Sequence, residues 1–178
     1  MKRNQILPFA ALACACACAL PALAHTKASE PSHAHPIALN AMEAPTLDVP
    51  AEARAAVAVV DRFSKALASV DFKTVEASLD PAALILESGG AERNRAQYMG
   101  HHAIADALFL GNAHLALQRR IARIDGNTAW VASESEIHAS EDGKPVTLLS
   151  TETMILHKSA DGWRIVHIHW SSRPKKDA

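Results

Sequence analysis

His167 and His169 stand at alternate positions in the ending Gly162-Trp163-Arg164-Ile165-Val166-His167-Ile168-His169-Trp170. Side chains alternate between the faces of a strand, so both imidazoles share a face, together with Trp163 and Ile165 if the strand is regular. A His-x-His pair on a strand is a workable ligand spacing for zinc, copper or non-haem iron. Beside a carboxylate, the same imidazoles can instead move protons. Upstream, His102 and Asp106 lie four residues apart in a helical stretch and share a face with Tyr98 and Phe109. Residues at that spacing meet, and an Asp one turn from a His can hold its ring and set its tautomer. His101 lies on a neighbouring face, about 100° round.

These groups need a scaffold, and the apolar periods supply one. Asp48 reads as a helix cap with Pro50 in the first turn. From there Val60, Phe63, Leu67 and Val70 recur at helical spacing and mark one buried face. A shorter helix follows Asp71, carries Phe72, Val75 and Leu79 on its apolar side, and is closed by Asp80-Pro81. Leu84 to Glu87 reads as a short strand ended by Gly89-Gly90. Asn94 with Gln97 has capping-box spacing, so a third helix is expected from Arg95 to Leu110, stopping at Gly111-Asn112.

The period then changes from helical to alternating. Strands are expected at Leu115–Ile124, Thr128–Ala139, Pro145–Lys158 and Trp163–Ser171, joined by short Gly-containing turns. Strands joined this way form an antiparallel meander. Helices first and strands afterwards make the fold class α+β, with helices on one face of a curved, mostly antiparallel sheet.

With a four-residue loop from Ser159 to Gly162 and regular strands, Lys158 faces Trp163, Met154 faces His167 and Glu152 faces His169. Such pairs lie about 5 Å apart between Cβ atoms. The preceding turn brings Ser133 and Ser135 beside Glu152 and Ser150. One sheet face then has a polar middle of Ser133, Ser135, Glu152, His167 and His169, which suits a lined cavity better than a packed core. A one-residue slip would exchange Glu152 for Glu134 and Glu136.

Three strings carry a resemblance to a known family: Val70-Asp71-Phe72-Lys73 after the first helix, Tyr98-Met99-Gly100-His101-His102, and Gly162 to Ser172 at the end. Between Ala51 and Arg173 the chain resembles the nuclear transport factor 2-like superfamily, in particular its SnoaL-like branch and the association domain of calmodulin-dependent kinase. The resemblance implies a cone-shaped half-barrel of three N-terminal helices on the curved sheet, with a cavity between them. It also implies dimerisation through the outer sheet face. It does not single out one activity, because the superfamily spans isomerases, cyclases, dehydratases and non-catalytic modules.

Three uses of the cavity therefore stand side by side. In the first, it binds a small molecule through Tyr98, His102, Ser133, Ser135, Glu152, His167 and His169, with no cofactor required. Arg119, Arg120 or Arg123, if turned inward, would favour an acidic ligand, although a solvated strand face is the plainer role. In the second, His169 and Glu152 form a catalytic proton-transfer pair and Tyr98 orients the substrate. The family's isomerases commonly use an acidic base and a donor to an enolate, but no position here matches those motifs residue by residue. In the third, His102, His167 and His169 bind a divalent metal such as copper or zinc, with His101, Glu87 or Glu152 nearby.

Composition sets the setting. Of 178 residues 49% are hydrophobic, and all three cysteines, Cys14, Cys16 and Cys18, lie in the apolar run behind Lys2 and Arg3. A basic start, an apolar middle and Ala22-Leu23-Ala24 make residues 1–24 a signal peptide. Its middle is shorter than the roughly 20 residues of a membrane span. A lipidated cysteine would require Leu three residues upstream, where Ala11 and Ala13 stand for Cys14 and Cys16. Cleavage removes two cations and no acid, taking the formal charge from −1 to −3. The mature chain is then cysteine-free and mildly acidic, which excludes thiol catalysis and argues against a nucleic-acid partner. No integral membrane segment is expected after cleavage, and the location is periplasmic or secreted. Residues 25–47, with His25, His33, His35 and several prolines, read as a flexible leader whose new terminal His25 could chelate copper. The folded domain is expected over 48–173, followed by a polar tail at 174–178.

Intact-mass measurement of the protein recovered from an exporting bacterial host should show a chain beginning at His25. A full-length chain that stays in the cytoplasm contradicts the export reading.

Overall fold

Residues 44–176 are described by a computed structural model. The expected signal peptide at 1–24, most of the expected leader at 25–47 and the last two residues of the expected tail lie outside the described residues.

The chain opens with strand β1 (Thr46–Asp48) and a 3-10 turn at Ala51–Ala53. Helices α1 (Arg54–Ala68) and α2 (Phe72–Ser78) follow, then strands β2 (Leu79–Glu87) and β3 (Gly90–Glu92). Next come the short helices α3 (Arg95–Met99) and α4 (His102–Gly111). The chain ends in the long strands β4 (His114–Asp125), β5 (Thr128–Glu141), β6 (Lys144–Ser159) and β7 (Gly162–Pro174). One seven-stranded sheet has the order β1-β4-β5-β6-β7-β2-β3.

The α+β class and the β4 to β7 meander are as the sequence indicates, because each hairpin has a turn of the right chemistry. At the β5–β6 turn Asp142 and Gly143 both take positive φ, +50° and +75°, the backbone that a tight hairpin turn requires. The two ends of the sheet were not foreseen: β1 runs parallel to β4, and β2 runs parallel to β7.

Several local expectations are corrected. Asp48 caps no helix, since β1 joins the sheet edge and Asp48 pairs with Arg123, Nη2 to Oδ2 at 2.6 Å. The Arg123 guanidinium holds the Asp48 carboxyl below its ordinary value. Val60, Phe63 and Leu67 form the buried face of α1, but Val70 lies past the helix end at φ +60° and is exposed. Asp71 does cap α2, accepting from the Thr74 amide at 3.1 Å. Asp80-Pro81 lies within β2 instead of closing the helix, where the β2–β7 register shifts between Leu79 and Leu84. The expected third helix is two helices, broken at Gly100-His101. Asn94 caps the first of them through the Gln97 amide at 2.9 Å, and Gln97 returns a bond to the Arg93 amide.

The core lies between α1 and the inner sheet face, where Phe63, Leu67, Val131, Met154, Leu156, Ile165 and Ile168 are fully buried. Phe63 stacks on Trp170 with ring centroids 6.2 Å apart and planes 23° apart. Phe63→Ala should lower stability by about 3–5 kcal/mol, read from urea unfolding, because removal of a buried aromatic leaves a cavity that the sheet cannot close. A loss below about 1 kcal/mol would mean that α1 is not held by this contact.

Candidate functional site

Strand β5 alternates cleanly, so Ala129, Val131, Ser133, Ser135 and Ile137 all point inward and are buried. Pairing across to β6 places Ser133 opposite Glu152 and Ser135 opposite Ser150, as the turn lengths indicate. From here on the last strand departs from regularity. Ile155 pairs with His167 but Leu156 pairs with Ile165, so Val166 is an extra residue in β7. Such a bulge reverses the alternation beyond it. Ile165 faces inward before the bulge, and Ile168 and Trp170 face inward after it.

His167 and His169 therefore turn to the outer sheet face, and the residue opposite Glu152 is Trp170, not His169. Met154 likewise faces Ile168 and not His167. The expected His169–Glu152 proton-transfer pair is not formed, and His102, His167 and His169 do not meet as a metal set. His167 Nδ1 instead donates to the Leu84 carbonyl at 2.9 Å, tying β7 to β2. His169 is exposed.

The partly open cavity between α1, α4 and the sheet has a volume of about 400 Å³. Phe63 and Leu67 of α1, Phe109 and Leu110 of α4, Leu115 and Leu117 of β4 and Ile137 of β5 form its apolar wall. Its polar patch is Glu152 with Ser133, Ser135 and Ser150, bordered by Arg120, Asp61, Asp106 and Glu87. Arg120 reaches this face because β4 also carries a bulge, between Leu117 and Arg119. Arg119 and Arg123 remain at the surface in ion pairs with Glu134 and Asp48.

A continuous line of contacts holds Glu152. Trp170 Nε1 donates to Oε2 at 2.8 Å, and Ser133 Oγ donates to Oε1 at 3.3 Å. Arg120 Nε donates to Ser133 Oγ at 3.1 Å, and Arg120 Nη1 pairs with Asp61 of α1. Burial pushes the Glu152 carboxyl above its ordinary value, opposed by the Trp170 bond, the Arg120 charge and the Ser133 bond. What remains accessible of Glu152 faces the cavity, so it is reachable by a molecule inside yet poorly hydrated.

A second carboxylate group lies at the α4 side. Tyr98, fully buried, donates its hydroxyl to Asp106 Oδ2 at 3.0 Å, and its ring lies 6.2 Å from that of Trp170. Burial and the Asp106 charge raise the Tyr98 phenol, which stays protonated. Burial also raises Asp106, against the Tyr98 bond, and raises Glu87, with the Asp106 charge adding to it. Tyr98 thus supports the cavity through Asp106 and is not itself part of its wall. His102 shares α4 with Asp106 but directs Nδ1 to Glu92, in a small cluster with His101.

The SnoaL-like domain pattern matches residues 56–174. The chain belongs to the SnoaL-like family. Among solved structures, it is similar to a candidate ketosteroid isomerase from Shewanella frigidimarina, with 35% identity, TM-score 0.63, and coverage of 66% of this chain and 94% of that one. It is also similar to the CaMKII hub of S. rosetta, with 26% identity, TM-score 0.62, and coverage of 70% and 100%. A candidate dehydratase from Streptomyces avermitilis, 20% identical over 71% of this chain and 97% of that one, shares the fold with a TM-score of 0.57. No match is found among curated proteins. Within this SnoaL-like domain, sequence reading missed Asp61 and Trp170. The missed signal in β7 was the apolar phase, which runs Trp163, Ile165 and then Ile168, Trp170.

Because the Glu152 carboxyl is raised in the fold, the native domain holds this proton more tightly than the unfolded chain does. That contribution is fully present below the unfolded pKa and is lost as pH rises through the raised value. Glu152→Gln, which keeps the shape without the charge, should raise Tm by a few degrees near about pH 8 and lose that advantage near about pH 4. A variant less stable than the parent at the higher pH contradicts the assignment of burial as the dominant cause.

Proposed function

We propose that the domain binds a small, largely apolar molecule in this cavity, with one oxygen-bearing group of the ligand directed at Glu152 and its serine neighbours. The observation that carries this reading is a carboxyl at the floor of an apolar enclosure, aimed by Trp170 and Ser133 yet open to the interior. A volume of about 400 Å³ suits a compact organic molecule. The reading assigns ligand contact to Ser133, Ser135 and Glu152, and leaves Tyr98 a supporting role.

A second reading, proton transfer, is favoured by the raised Glu152 carboxyl. Such a carboxylate is a stronger base than a solvated one and could take a proton from a carbon beside a carbonyl and return it elsewhere. The 35% identity to a candidate ketosteroid isomerase supports the same class. We further propose that the protein is exported, and that the outer sheet face, carrying His167, His169 and the half-exposed Trp130, joins two copies.

2-Naphthol, an apolar body with one hydroxyl, should quench tryptophan emission at about one equivalent per domain. Ser135→Phe, which fills the cavity, should abolish the quenching without lowering Tm; quenching that survives would place the probe elsewhere. For proton transfer, deuterium exchange at the α-carbon of 2-tetralone, followed by NMR, should be accelerated by the protein. Glu152→Gln should cut the acceleration by roughly a hundredfold or more.

A further inference from the structure

Outside the cavity, a second group of side chains converges where β3 meets α4. Glu92 ends β3 and its side chain is 7% exposed, although it carries a carboxylate. Its Oε1 contacts His102 Nδ1 and lies 3.7 Å from His101 Nδ1. The two imidazole rings stand edge to face with centroids 4.2 Å apart, so both direct Nδ1 to the same oxygen. One ligand atom from each of the three residues lies within 4.8 Å of the others.

We propose that Glu92, His101 and His102 form a binding site for a divalent transition cation of the zinc type. Two imidazoles and one carboxylate are a donor set that zinc accepts, with metal–ligand distances of about 2.0–2.2 Å. Donors around a tetrahedral ion of that size lie roughly 3.3 Å apart. The separation of Glu92 Oε1 from His101 Nδ1 is already near that value. Only the His102 ring must swing away from direct contact. It has solvent on one side, since the His102 side chain is 39% exposed.

The plainer role for the cluster is a hydrogen-bonded partner for a buried carboxylate, and His102 alone would satisfy that. It leaves unexplained why His101, with a side chain 73% exposed, turns its Nδ1 toward the same oxygen. The amino-terminal end of α4 is unfavourable ground for a cation, and the Glu92 charge offsets it. With three protein donors, one coordination position would remain open to solvent beside His101. The ion would join β3 to α4, the helix that carries Asp106, Phe109 and Leu110 into the cavity wall.

The test uses the full chain, stripped with a chelator and titrated with zinc by calorimetry and with cobalt(II) by absorption. One zinc per chain is expected, with a rise in Tm and the visible bands of four-coordinate cobalt. His101→Ala with His102→Ala should weaken uptake at least about tenfold. His167→Ala with His169→Ala, and replacement of His25, His33 and His35 by Ala, should leave it unchanged. If the double variant fails to fold, His101→Ala alone decides, because that side chain is largely solvent-exposed and its loss should still remove the cobalt bands. No uptake, or uptake that survives the His101 and His102 changes, overturns the proposal.

Discussion

A carboxyl group enclosed by phenylalanine and leucine side chains must either give up its charge or find donors that replace water. Glu152 is held under that constraint, and much of the architecture answers to it. The donors arrive from strands on both sides, Ser133 from β5 and Trp170 from β7. Arg120 from β4 supplies the nearest positive charge and is itself pinned by Asp61 on α1. The line therefore crosses four strands, β4 to β7, and reaches the opposite layer. It links the position of the helix to the electrostatics of the sheet.

Trp170 makes this arrangement more than a chain of polar contacts. Its indole N–H serves Glu152, while its ring packs between Phe63 of α1 and Tyr98 of α3. Tyr98 in turn holds Asp106 on α4. One side chain thus touches the carboxylate and both groups of helices. The space that remains is bounded by rigid aromatic surfaces on one side and by small serines on the other. A wall of that kind sets the outline of a bound molecule through the aromatics and its orientation through the serines.

The hairpin turns of the meander, the caps at Asp71 and Asn94 and the inward set of β5 were legible because each rests on local chemistry. Turn residues fix strand lengths, and an unbroken alternation from Ala129 to Ile137 leaves one choice of face. The parallel pairings of β1 and β2 were hidden, since contact across long sequence separations has no local mark. The α3–α4 break was hidden by an apolar period that continues through Gly100. The costliest omission was Val166. In an ideal strand, two apolar residues in succession look like a strand covered on both sides, which is how Ile165-Val166 reads. Only the changed phase of Ile168 and Trp170 marks an extra residue there, and that phase sent His167 and His169 outward. The pairing of Glu152 with Ser133 survived because it depends on the preceding turn and not on β7.

The bulge in β7 also bears on how such a pocket can diversify. Were Val166 taken up as a regular strand position, with no residue lost, the strict alternation would turn His167 and His169 toward the cavity, with Ile168 and Trp170 moving out. An indole-and-carboxylate interior would become an imidazole-and-carboxylate one with no side chain replaced. In a half-barrel of this design, the place where a strand bulges is therefore a variable of pocket chemistry in its own right. Two descendants of one ancestor could differ only in whether this bulge forms and present different reactive groups to the same cavity.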